Sequence, residues 1–599
     1  MKLRQYTGIS CFLLLLLGML SGGCEKAIEL ESFTPKDPNL VLSADQLAVP
    51  KVEDNYQLAL TSNLPWRAKS NVDWITVDGA TDAGTTEKDN LIKFKVSKNP
   101  TIQPRSGTID IWITDSYKKV FTVNQAAGDP PPIIKRNLYV KVGATGDGSS
   151  WSNPISLTGA LAIDLVEGDF IHIAAGTYVP DKEVTGGSAA AAGDKTFEIR
   201  QNINLIGGYP ANATTGAVAD PSANATILDG NNSANHVITV SAPLTANQKV
   251  NISGLTIQKG NTSTSTSSTT INGLAYSKTN GGGIIVGRAV VELNKCVITD
   301  NTCWAGGAGI YAFTNATVTL RESVLKNNTT SSTAANGGGM FFEKQANLFI
   351  YDSTISANGA GSFAGALYQY TGAFHIYNST INGNGAGFVG STTTGKAYGA
   401  IYLREGTGEM VNCTVQGNTA SNIGGALGVY GTAAAPGSLQ LVSCTITGNM
   451  VKSTSALGGG VYLNAADATV SISNSIISGN TRGAAGTGTV SDVEGVAGST
   501  VTKKSTIISG QVFDANGSAL TGTTFDPTTM LGTLTNNGGS VATIKLLGAN
   551  NPATTNGMSA GTLTTLGNGL SPVVPASIIA FDQIGLSRAT KPYIGALAQ

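Results

Sequence analysis

Three charged residues in a repeated stretch of this 599-residue sequence are the candidates for acid–base chemistry. Glu343 and Lys344 follow the run GGGMFF, and Arg404 ends the similar run GAIYLR. Carboxylates and amines act as general acids and bases, so these residues are candidates to cleave a polysaccharide as a lyase or a glycoside hydrolase. The usual hydrolase needs two carboxylates facing one bond, and Glu343 is the only carboxylate at the outward positions of the strands that open the repeats. The shortage of carboxylates therefore speaks against catalysis without excluding it.

Aromatic residues recur in the same stretch, once or twice per repeat. They lie in the runs AGIYAF, GGMFFE, GALYQY, GAIYLR, GALGVY and GGVYLN. Side chains alternate across a strand, which puts the aliphatic residues inside and the rings outside. Rings on successive strands would form a strip that suits the apolar faces of an extended polysaccharide. The glycan-binding candidates are Tyr311, Phe341, Tyr368, Tyr370, Tyr402, Tyr430 and Tyr462.

A structural interpretation of the same residues stays open. Aromatic rings also stabilise stacked strands by packing on one another, and a long inserted loop would cover them. The charged residues Lys344, Arg404 and His375 are equally compatible with an ordinary solvated face.

The repeat that positions these residues closes each time on an asparagine. The closing asparagines, spaced 26 to 34 residues apart, are Asn301, Asn328, Asn358, Asn384, Asn418, Asn449 and Asn480. A period in this range, with short β runs and no helical pattern, predicts a solenoid of stacked coils. The asparagines predict a ladder of hydrogen-bonded side-chain amides along the stack.

The parity of the strands also predicts the core. One inward column comprises Ile284, Ile310, Met340, Leu367, Ile401, Leu427 and Val461. In a second inward column, two residues further on, Gln369 is the polar exception. A third column alternates serine with cysteine, and there Cys413 and Cys444 would be neighbours, either bridged or as stacked free thiols.

Composition narrows the classes of partner. The net charge is −1 and only 13% of residues are charged, so the chain has no basic field for nucleic acid. Three histidines and no cysteine–histidine spacing give no metal-site motif, and no phosphate loop or nucleophile motif is present. We therefore predict no metal and no cofactor, with calcium a candidate only if the protein is a lyase.

The N-terminus has the pattern of a secretory signal. Lys2 and Arg4 precede the apolar run FLLLLLGML, and SGGC ends at Cys24. This segment resembles a bacterial lipoprotein box, which implies a signal peptide over residues 1–23, lipidation of Cys24 and a tether over residues 24–37. We expect a lipid anchor in the outer membrane, at the cell surface or on its periplasmic face.

Residues 38–127 alternate apolar and polar positions between turns, which predicts an antiparallel β-sandwich. The landmarks SNLPWRAKSNVDWITVDG, RSGTIDIWI and VFTVNQA resemble the BACON domain of Bacteroidota surface proteins. That resemblance implies a carbohydrate-binding module or a spacer. Trp66 and Trp74 are candidates for stacking on sugars, although large aromatics between strands are usually core. A proline-rich linker is predicted over residues 128–136.

The remaining chain resembles two further families. YVKVGATGDGSSW, EGDFIHIAAGTYVP and INLIGGY resemble the first turns of pectate-lyase-like right-handed β-helices, which implies such a helix over residues 137–500. LTNNGGSVATIKLL and FDQIGLSRATKPYIGALAQ resemble the choice-of-anchor Q segment, which implies a cap at the open end of the helix over residues 501–599.

The fold class predicted is all-β, an Ig-like sandwich followed by a right-handed single-stranded parallel β-helix. Three functions fit it. The first is a surface lipoprotein that binds polysaccharide along the aromatic strip, with the sandwich as a spacer. The second is a polysaccharide lyase or glycoside hydrolase on the same helix. The third is an adhesin or structural surface protein that meets a protein partner, and fold alone does not decide among them.

Overall fold

The computed structural model describes residues 36–78, 86–129, 134–245, 248–262, 267–387, 397–454, 457–483, 488–589 and 592–597. The predicted signal peptide, Cys24 and nearly all of the tether lie outside these residues, as does the middle of the predicted linker. The chain divides between Ile134 and Lys135 into two compact units. Within the described ranges, no helix is long and apolar enough to span a membrane.

The N-terminal unit is a β-sandwich of two four-stranded sheets. The strands of the first sheet are Leu40–Leu42, Asp54–Ser62, Thr86–Val96 and Ile75–Val77. Those of the second are Gln46–Val49, Tyr117–Gln125, Arg105–Thr114 and Arg67–Ser70. All neighbours are antiparallel except Gln46–Val49 and Tyr117–Gln125, which pair in parallel. Inward residues of both sheets form one apolar core, which confirms the predicted sandwich.

The second unit is a single-stranded parallel β-helix whose coils contribute to four sheets, here called sheets I to IV. One coil runs from Ile310–Ala312 in sheet III to Thr317–Arg321 in sheet I, then to Val324–Lys326 in sheet II and Thr329–Thr330 in sheet IV. Sharp corners join sheet I to II and II to IV, and there Glu322 and Asn327 have φ of 46° and 56°. These left-handed residues bend the chain sharply from one sheet into the next within two positions, so each coil stays small.

The strands of each sheet are given in the order in which they pair. Sheet I comprises Thr145–Ser150, Asn153–Ile155, Asn137–Val140, Phe170–Ala174, Asn204–Tyr209, Val250–Ser253, Val290–Asn294, Thr317–Arg321, Asn347–Tyr351, Ala373–Tyr377, Gly406–Val411, Gly437–Val442, Ala468–Ser473 and Thr500–Lys504. Sheet II comprises Gly176–Tyr178, Thr226–Asp229, Leu255–Gln258, Val297–Thr299, Val324–Lys326, Thr354–Ser356, Thr380–Asn382, Thr414–Gln416, Thr445–Thr447, Ile476–Ile477, Thr506–Ile508, Gln511–Phe513 and Ala519–Thr524.

The other two sheets have shorter strands. Sheet III comprises Phe197–Ile199, Ile238–Val240, Ile284–Val286, Ile310–Ala312, Met340–Phe342, Leu367–Gln369, Ile401–Arg404, Leu427–Tyr430, Val461–Leu463 and Val493–Gly495. Sheet IV comprises Thr302–Cys303, Thr329–Thr330, Gly359–Ala360, Gly385–Ala386, Thr419–Ala420, Met450–Val451, Thr481–Arg482 and Thr489–Val490. Two hairpins lie apart from these sheets, Ser268–Ile271 with Leu274–Ser277 and Leu531–Thr535 with Thr543–Leu546.

Helical segments are few and short in the described chain. The α-helices are Leu157–Ala162, Pro527–Met530, Ala560–Asn568 and Ala576–Ile579, and the 3₁₀ turns are Ala192–Asp194 and Pro552–Thr554. Leu157 and Leu161 of the first helix join the core of the β-helix at its N-terminal end, where parallel strands would otherwise be open.

The interior confirms the predicted parity. The first inward column, from Ile284 to Val461, is at most 2% exposed at every member and lies in register. Gln369 points inward as predicted, and its Nε2 donates to the carbonyls of Ala346, at 2.8 Å, and of Thr371. Its Oε1 has no hydrogen-bond partner among the described residues, which makes this a costly exception in an apolar column.

The predicted asparagine ladder is confirmed. From Asn301 to Asn480, each side-chain amide donates to the next Oδ1 at 2.8 to 3.0 Å. Asp492 ends the ladder by accepting from Asn480 at 2.7 Å. The serine and cysteine column runs beside it, and backbone amides donate to Ser Oγ of the next coil, as from Cys296 to Ser323 at 3.1 Å. Cys413 and Cys444 are buried free thiols.

The C-terminal part differs from the predicted cap. The last coil continues beyond residue 500, because Thr500–Lys504 and Thr506–Ile508 still pair with the coil before them. The strands Gln511–Phe513 and Ala519–Thr524 then fold antiparallel against its end. The described residues after 526, here called the C-terminal segment, instead lie along the side of the helix. There Gln583 donates to Ser379 O at 3.0 Å, and Leu563 and Ile579 join a cluster with Tyr377, Val411 and Val442.

Candidate functional site

The outer face of sheet III carries the aromatic column in the predicted register. Tyr311, Phe341, Tyr368 and Tyr402 pair position by position on successive strands, and Tyr462 follows after Gly428. Parallel strands are about 4.8 Å apart, so the four consecutive rings span about 14 Å. The column therefore exists, but the predicted long exposed strip does not, because other parts of the chain cover both of its ends.

Inserted loops cover the ends of the column. At the N-terminal end, the hairpin Ser268–Ile271/Leu274–Ser277 lies over the sheet, and Ile271 and Tyr276 pack with Ile285 and Tyr311. At the other end, Tyr398 from the loop before Ile401 stacks on Tyr402 with ring centres 4.3 Å apart. A Cβ on Gly428 would meet the Tyr398 ring at 2.1 Å, so the gap in the column is the space that Tyr398 fills.

Between these covers a cavity of about 470 Å³ remains open on sheet III. It is lined by Tyr311, Thr314, Phe341, Glu343, Lys344, Tyr368, Tyr370 and Arg404. All three charged candidates are thus brought together with four of the seven aromatic candidates. Thr314 is the lining residue that was not predicted, because it lies in a turn outside the strand columns.

The aromatic rings that line the cavity stack on one another, so their faces are not open to a ligand. Phe341 stacks between Tyr311 and Tyr368, with ring centres 5.2 and 4.8 Å away. Tyr311 and Tyr368 are only 5% and 4% exposed, while Phe341 and Tyr370 are half-buried. The expected open platform for sugar faces is therefore wrong for this column. A ligand in the cavity would contact ring edges, hydroxyl groups and charged side chains instead.

Glu343 is held by residues of the preceding coil. The Tyr311 hydroxyl donates to Glu343 Oε1, and Thr314 donates to Oε2 from its backbone N at 3.2 Å and from Oγ1 at 3.1 Å. Burial, followed by the charge and hydrogen bond of Glu343, raises the pKa of Tyr311, so its phenol stays protonated. Both carboxylate oxygens are therefore engaged by protein donors, which is unfavourable for a general acid or base.

Two cations flank one tyrosine in the cavity. The Arg404 guanidinium carbon lies 4.7 Å from the centre of the Tyr370 ring, and Lys344 Nζ lies 5.3 Å from it. The hydroxyl of the neighbouring Tyr368 raises the pKa of the Arg404 guanidinium, so Arg404 remains charged. Among the described residues, no ion pair joins Lys344 or Arg404 to a carboxylate.

The other candidates lie elsewhere. Tyr402 and Tyr462 are 5% and 6% exposed and share one aromatic cluster with Tyr398 and Tyr368, which half-buried Tyr430 borders. His375 is on sheet I and stacks on Phe349, with ring centres 4.8 Å apart. None of these residues lines the cavity, because Tyr398 covers Tyr402 and His375 lies on a different sheet.

The tryptophans of the sandwich have a structural role. Trp66 is 1% exposed in the core between the two sheets. Trp74 is half-buried, and the Arg105 guanidinium lies 4.3 Å from its ring centre. The interpretation of these rings as packing residues is confirmed for Trp66, and Trp74 has its ring covered by arginine.

Comparison with known proteins identifies part of the chain. Residues 64–126 match the BACON family model. That family is described as "Putative binding domain, N-terminal", and the match confirms the resemblance seen in the tryptophan, RSGT and VNQ elements. The BACON domain accounts for most of the sandwich, and the match does not extend to the β-helix. No curated protein sequence matches this chain.

Two solved structures align with parts of the chain. Pectate lyase Pel9A aligns with a TM-score of 0.38 and 15% identity over 71% of this chain and 92% of its own. A Bacteroides ovatus GH5 xyloglucanase, solved with a XXXG heptasaccharide, aligns with a TM-score of 0.14 and 14% identity over 26% of this chain. This chain spans 39% of the xyloglucanase chain. The β-helix assigned above rests on the strand pairing of this protein itself.

Proposed function

We propose that this protein binds a glycan in the cavity on sheet III. The observation that carries the proposal is the convergence of ring edges, the Tyr368 hydroxyl, Lys344 and Arg404 in one open cavity of about 470 Å³. Sugars offer hydroxyl groups in many directions, and a cavity with several fixed polar groups between aromatic walls meets them. The description of the BACON family as a binding domain supports a binding role for this protein.

The length of the cavity limits what is bound. Its walls come from four coils, and the hairpin and Tyr398 close the column on either side. A short stretch of a polysaccharide, entering from solvent at Phe341 and Tyr370, fits this geometry. An extended chain lying along the whole column does not.

Binding is tested with the purified protein in affinity gels that contain neutral or acidic polysaccharides. Tyr370→Ala removes the ring that positions both cations without touching the core, and we expect it to abolish retardation. The matched control is Tyr351→Ala, a half-buried ring on sheet I with the Arg321 guanidinium carbon 4.0 Å from its centre, which should leave retardation unchanged. Equal loss in both variants, or no retardation by any polysaccharide, would contradict the proposal.

Cleavage is the second candidate, because Glu343, Lys344 and Arg404 all line the same cavity. The engaged carboxylate of Glu343 and the raised pKa of Arg404 leave neither well suited as a base. The same samples report on this function through ultraviolet absorbance of unsaturated sugar ends and through new reducing ends. Product that disappears in Lys344→Ala would establish a lyase or hydrolase.

We further propose that Cys24 carries a lipid that anchors the protein to the outer membrane. The signal-like N-terminus and the SGGC sequence support this. Metabolic labelling with a radioactive fatty acid, compared between the natural sequence and Cys24→Ser, tests it. Label retained by Cys24→Ser would show that the anchor is elsewhere or absent.

A further inference from the structure

We infer that the glycan in the sheet III cavity is anionic and that Lys344 and Arg404 read its negative groups directly. This inference rests on the proposed function and names its ligand class. The starting point is an imbalance of charge within the cavity. Its walls carry two cations and one carboxylate, and that carboxylate is already held by three donors from Tyr311 and Thr314.

The cations are positioned without being neutralised. Tyr370 lies between them along the stack, because Lys344 follows the strand Met340–Phe342 and Arg404 ends the strand Ile401–Arg404. A ring face attracts a cation but carries no net charge, so both side chains keep their capacity to pair with an anion. A guanidinium carries five N–H donors, so the contact of Arg404 with the ring face leaves donors for a ligand.

Arginine beside lysine favours an oxyanion over a neutral hydroxyl group. A guanidinium forms paired hydrogen bonds with planar or tetrahedral oxyanions, and lysine adds a second, more flexible charge. Two such groups beside one ring match the carboxylate of a uronic acid or a sulfate ester on a sugar. In a half-enclosed cavity, these charge-assisted bonds are stronger than on an open surface.

The same cations remove the need for a bridging metal. Some proteins hold acidic sugars through calcium on a cluster of carboxylates. In the described part of this chain, no group of three or more His, Cys, Asp or Glu side chains is placed to hold a metal ion. We therefore expect recognition of the anion to be independent of divalent cations.

The test uses matched pairs of polymers with the purified protein. Polygalacturonate and its fully methyl-esterified form differ in the carboxylate, and dextran sulfate and dextran differ in the sulfate. We expect the charged member of at least one pair to bind at least about tenfold more tightly, as charge-assisted hydrogen bonds predict. Binding should be unchanged by a chelator and weakened by salt.

Two variants separate specific from general charge effects. Arg404→Gln keeps a polar side chain of similar length and should remove most of the preference for the charged polymer. Lys326→Gln removes an exposed lysine on sheet II and should not change it. Equal effects of both variants would overturn the inference in favour of unspecific attraction.

The outcomes also distinguish this inference from the proposed function. Equal binding of the charged and neutral members, with loss in Tyr370→Ala, would refute an anionic ligand and keep glycan binding. Loss of binding in the presence of a chelator would refute direct reading by the two cations. Absence of binding to every polymer would refute the glycan proposal itself.

Discussion

The Arg404 guanidinium carbon lies 4.7 Å from the centre of the Tyr370 ring on the neighbouring coil. This contact fixes a charged group at the mouth of a cavity without pairing it with a carboxylate. Lys344 approaches the same ring from the preceding coil, so one tyrosine holds two cations along the stack. The repeat therefore serves to place charges at the spacing of successive strands.

Tyr311→Phe should destabilise the cavity wall. The variant removes the hydroxyl that donates to Glu343 and leaves that carboxylate oxygen less satisfied, which costs about 1.5 to 3 kcal/mol for a bond to a charged group. We expect a lower urea midpoint of unfolding. Tyr430→Phe is the control and should shift the midpoint little, and a similar shift in both would show that the Glu343 contact adds nothing.

Asn418→Ala should interrupt the amide ladder. Asn418 accepts from the backbone N and Nδ2 of Asn384, both at 2.9 Å, and donates to Asn449 at 2.9 Å. Each buried polar group left unpaired costs about 1 to 3 kcal/mol, so the loss should exceed about 2 kcal/mol. Thermal unfolding measures it against Asn516→Ala, an exposed turn residue. A midpoint equal to that of Asn516→Ala would contradict a stabilising ladder.

Gly428→Ala should displace Tyr398. The new Cβ would lie 2.1 Å from the Tyr398 ring, which cannot move without giving up its stack on Tyr402. We expect a loss of about 1 to 3 kcal/mol from overpacking and a change in tyrosine near-ultraviolet dichroism. Gly532→Ala, where the nearest atom is 3.5 Å away, should have almost no effect. An unchanged spectrum in Gly428→Ala would show that Tyr398 does not fill this gap.

His236 should make stability depend on pH in the acidic range. Burial lowers its pKa to about 4, while its Nδ1 lies 2.9 Å from the carbonyl of Gly281. The unfolded state then binds more protons between pH 6.5 and 4, so this contribution to stability is complete above 6.5 and is lost as pH falls.

The measurement is the unfolding midpoint from pH 7 to 4 in the natural sequence and in His236→Asn. The natural protein should lose more stability over this range than the variant. Asp194 and Lys278 face the same region and form an ion pair at 2.5 Å, so subtracting the two profiles isolates the histidine. Parallel profiles would rule out His236 as the source.

Arg588→Met should loosen the C-terminal segment while the β-helix stays folded. Arg588 is fully buried and donates to the carbonyls of Phe581, Tyr593, Gly595 and Ala596 at 2.7 to 3.2 Å. Methionine would leave these acceptors unpaired, so we expect faster hydrogen exchange over residues 540–597. The exposed Lys545→Met is the control, and equal exchange in both variants would contradict this role.

The parts of the fold that the sequence predicted follow from local rules. Alternation along a strand decides which of two neighbouring residues is buried, so the inward column through Met340 and Leu367 was readable from one repeat. Gln369 follows the same alternation and is buried even though its side chain is polar. The asparagine ladder was readable because a residue repeated at the same corner of each coil must meet its own copies.

The sequence predicted which residues form the site, but not how their side chains are arranged. The register that aligns Tyr311, Phe341 and Tyr368 is a property of the repeat, so the residues of the column could be predicted. The orientation of the rings was not accessible, because faces that stack on each other and faces that lie open to solvent give the same sequence. Thr314 was missed because a turn residue has no periodic signal.

The sequence by itself determined the coil, the core and the order of side chains along each face, since these depend on contacts that recur every coil. The tertiary structure decided which part of that face is open. Three segments occur only once and fold onto the outside of the coils: the hairpin Ser268–Ile271/Leu274–Ser277, the loop with Tyr398, and the C-terminal segment. Because they do not repeat, the period of the sequence does not predict where they pack. Their packing is set by shape and burial between segments far apart in sequence. It reduces a long row of rings to one short cavity, whose two cations pair with no carboxylate of the described residues.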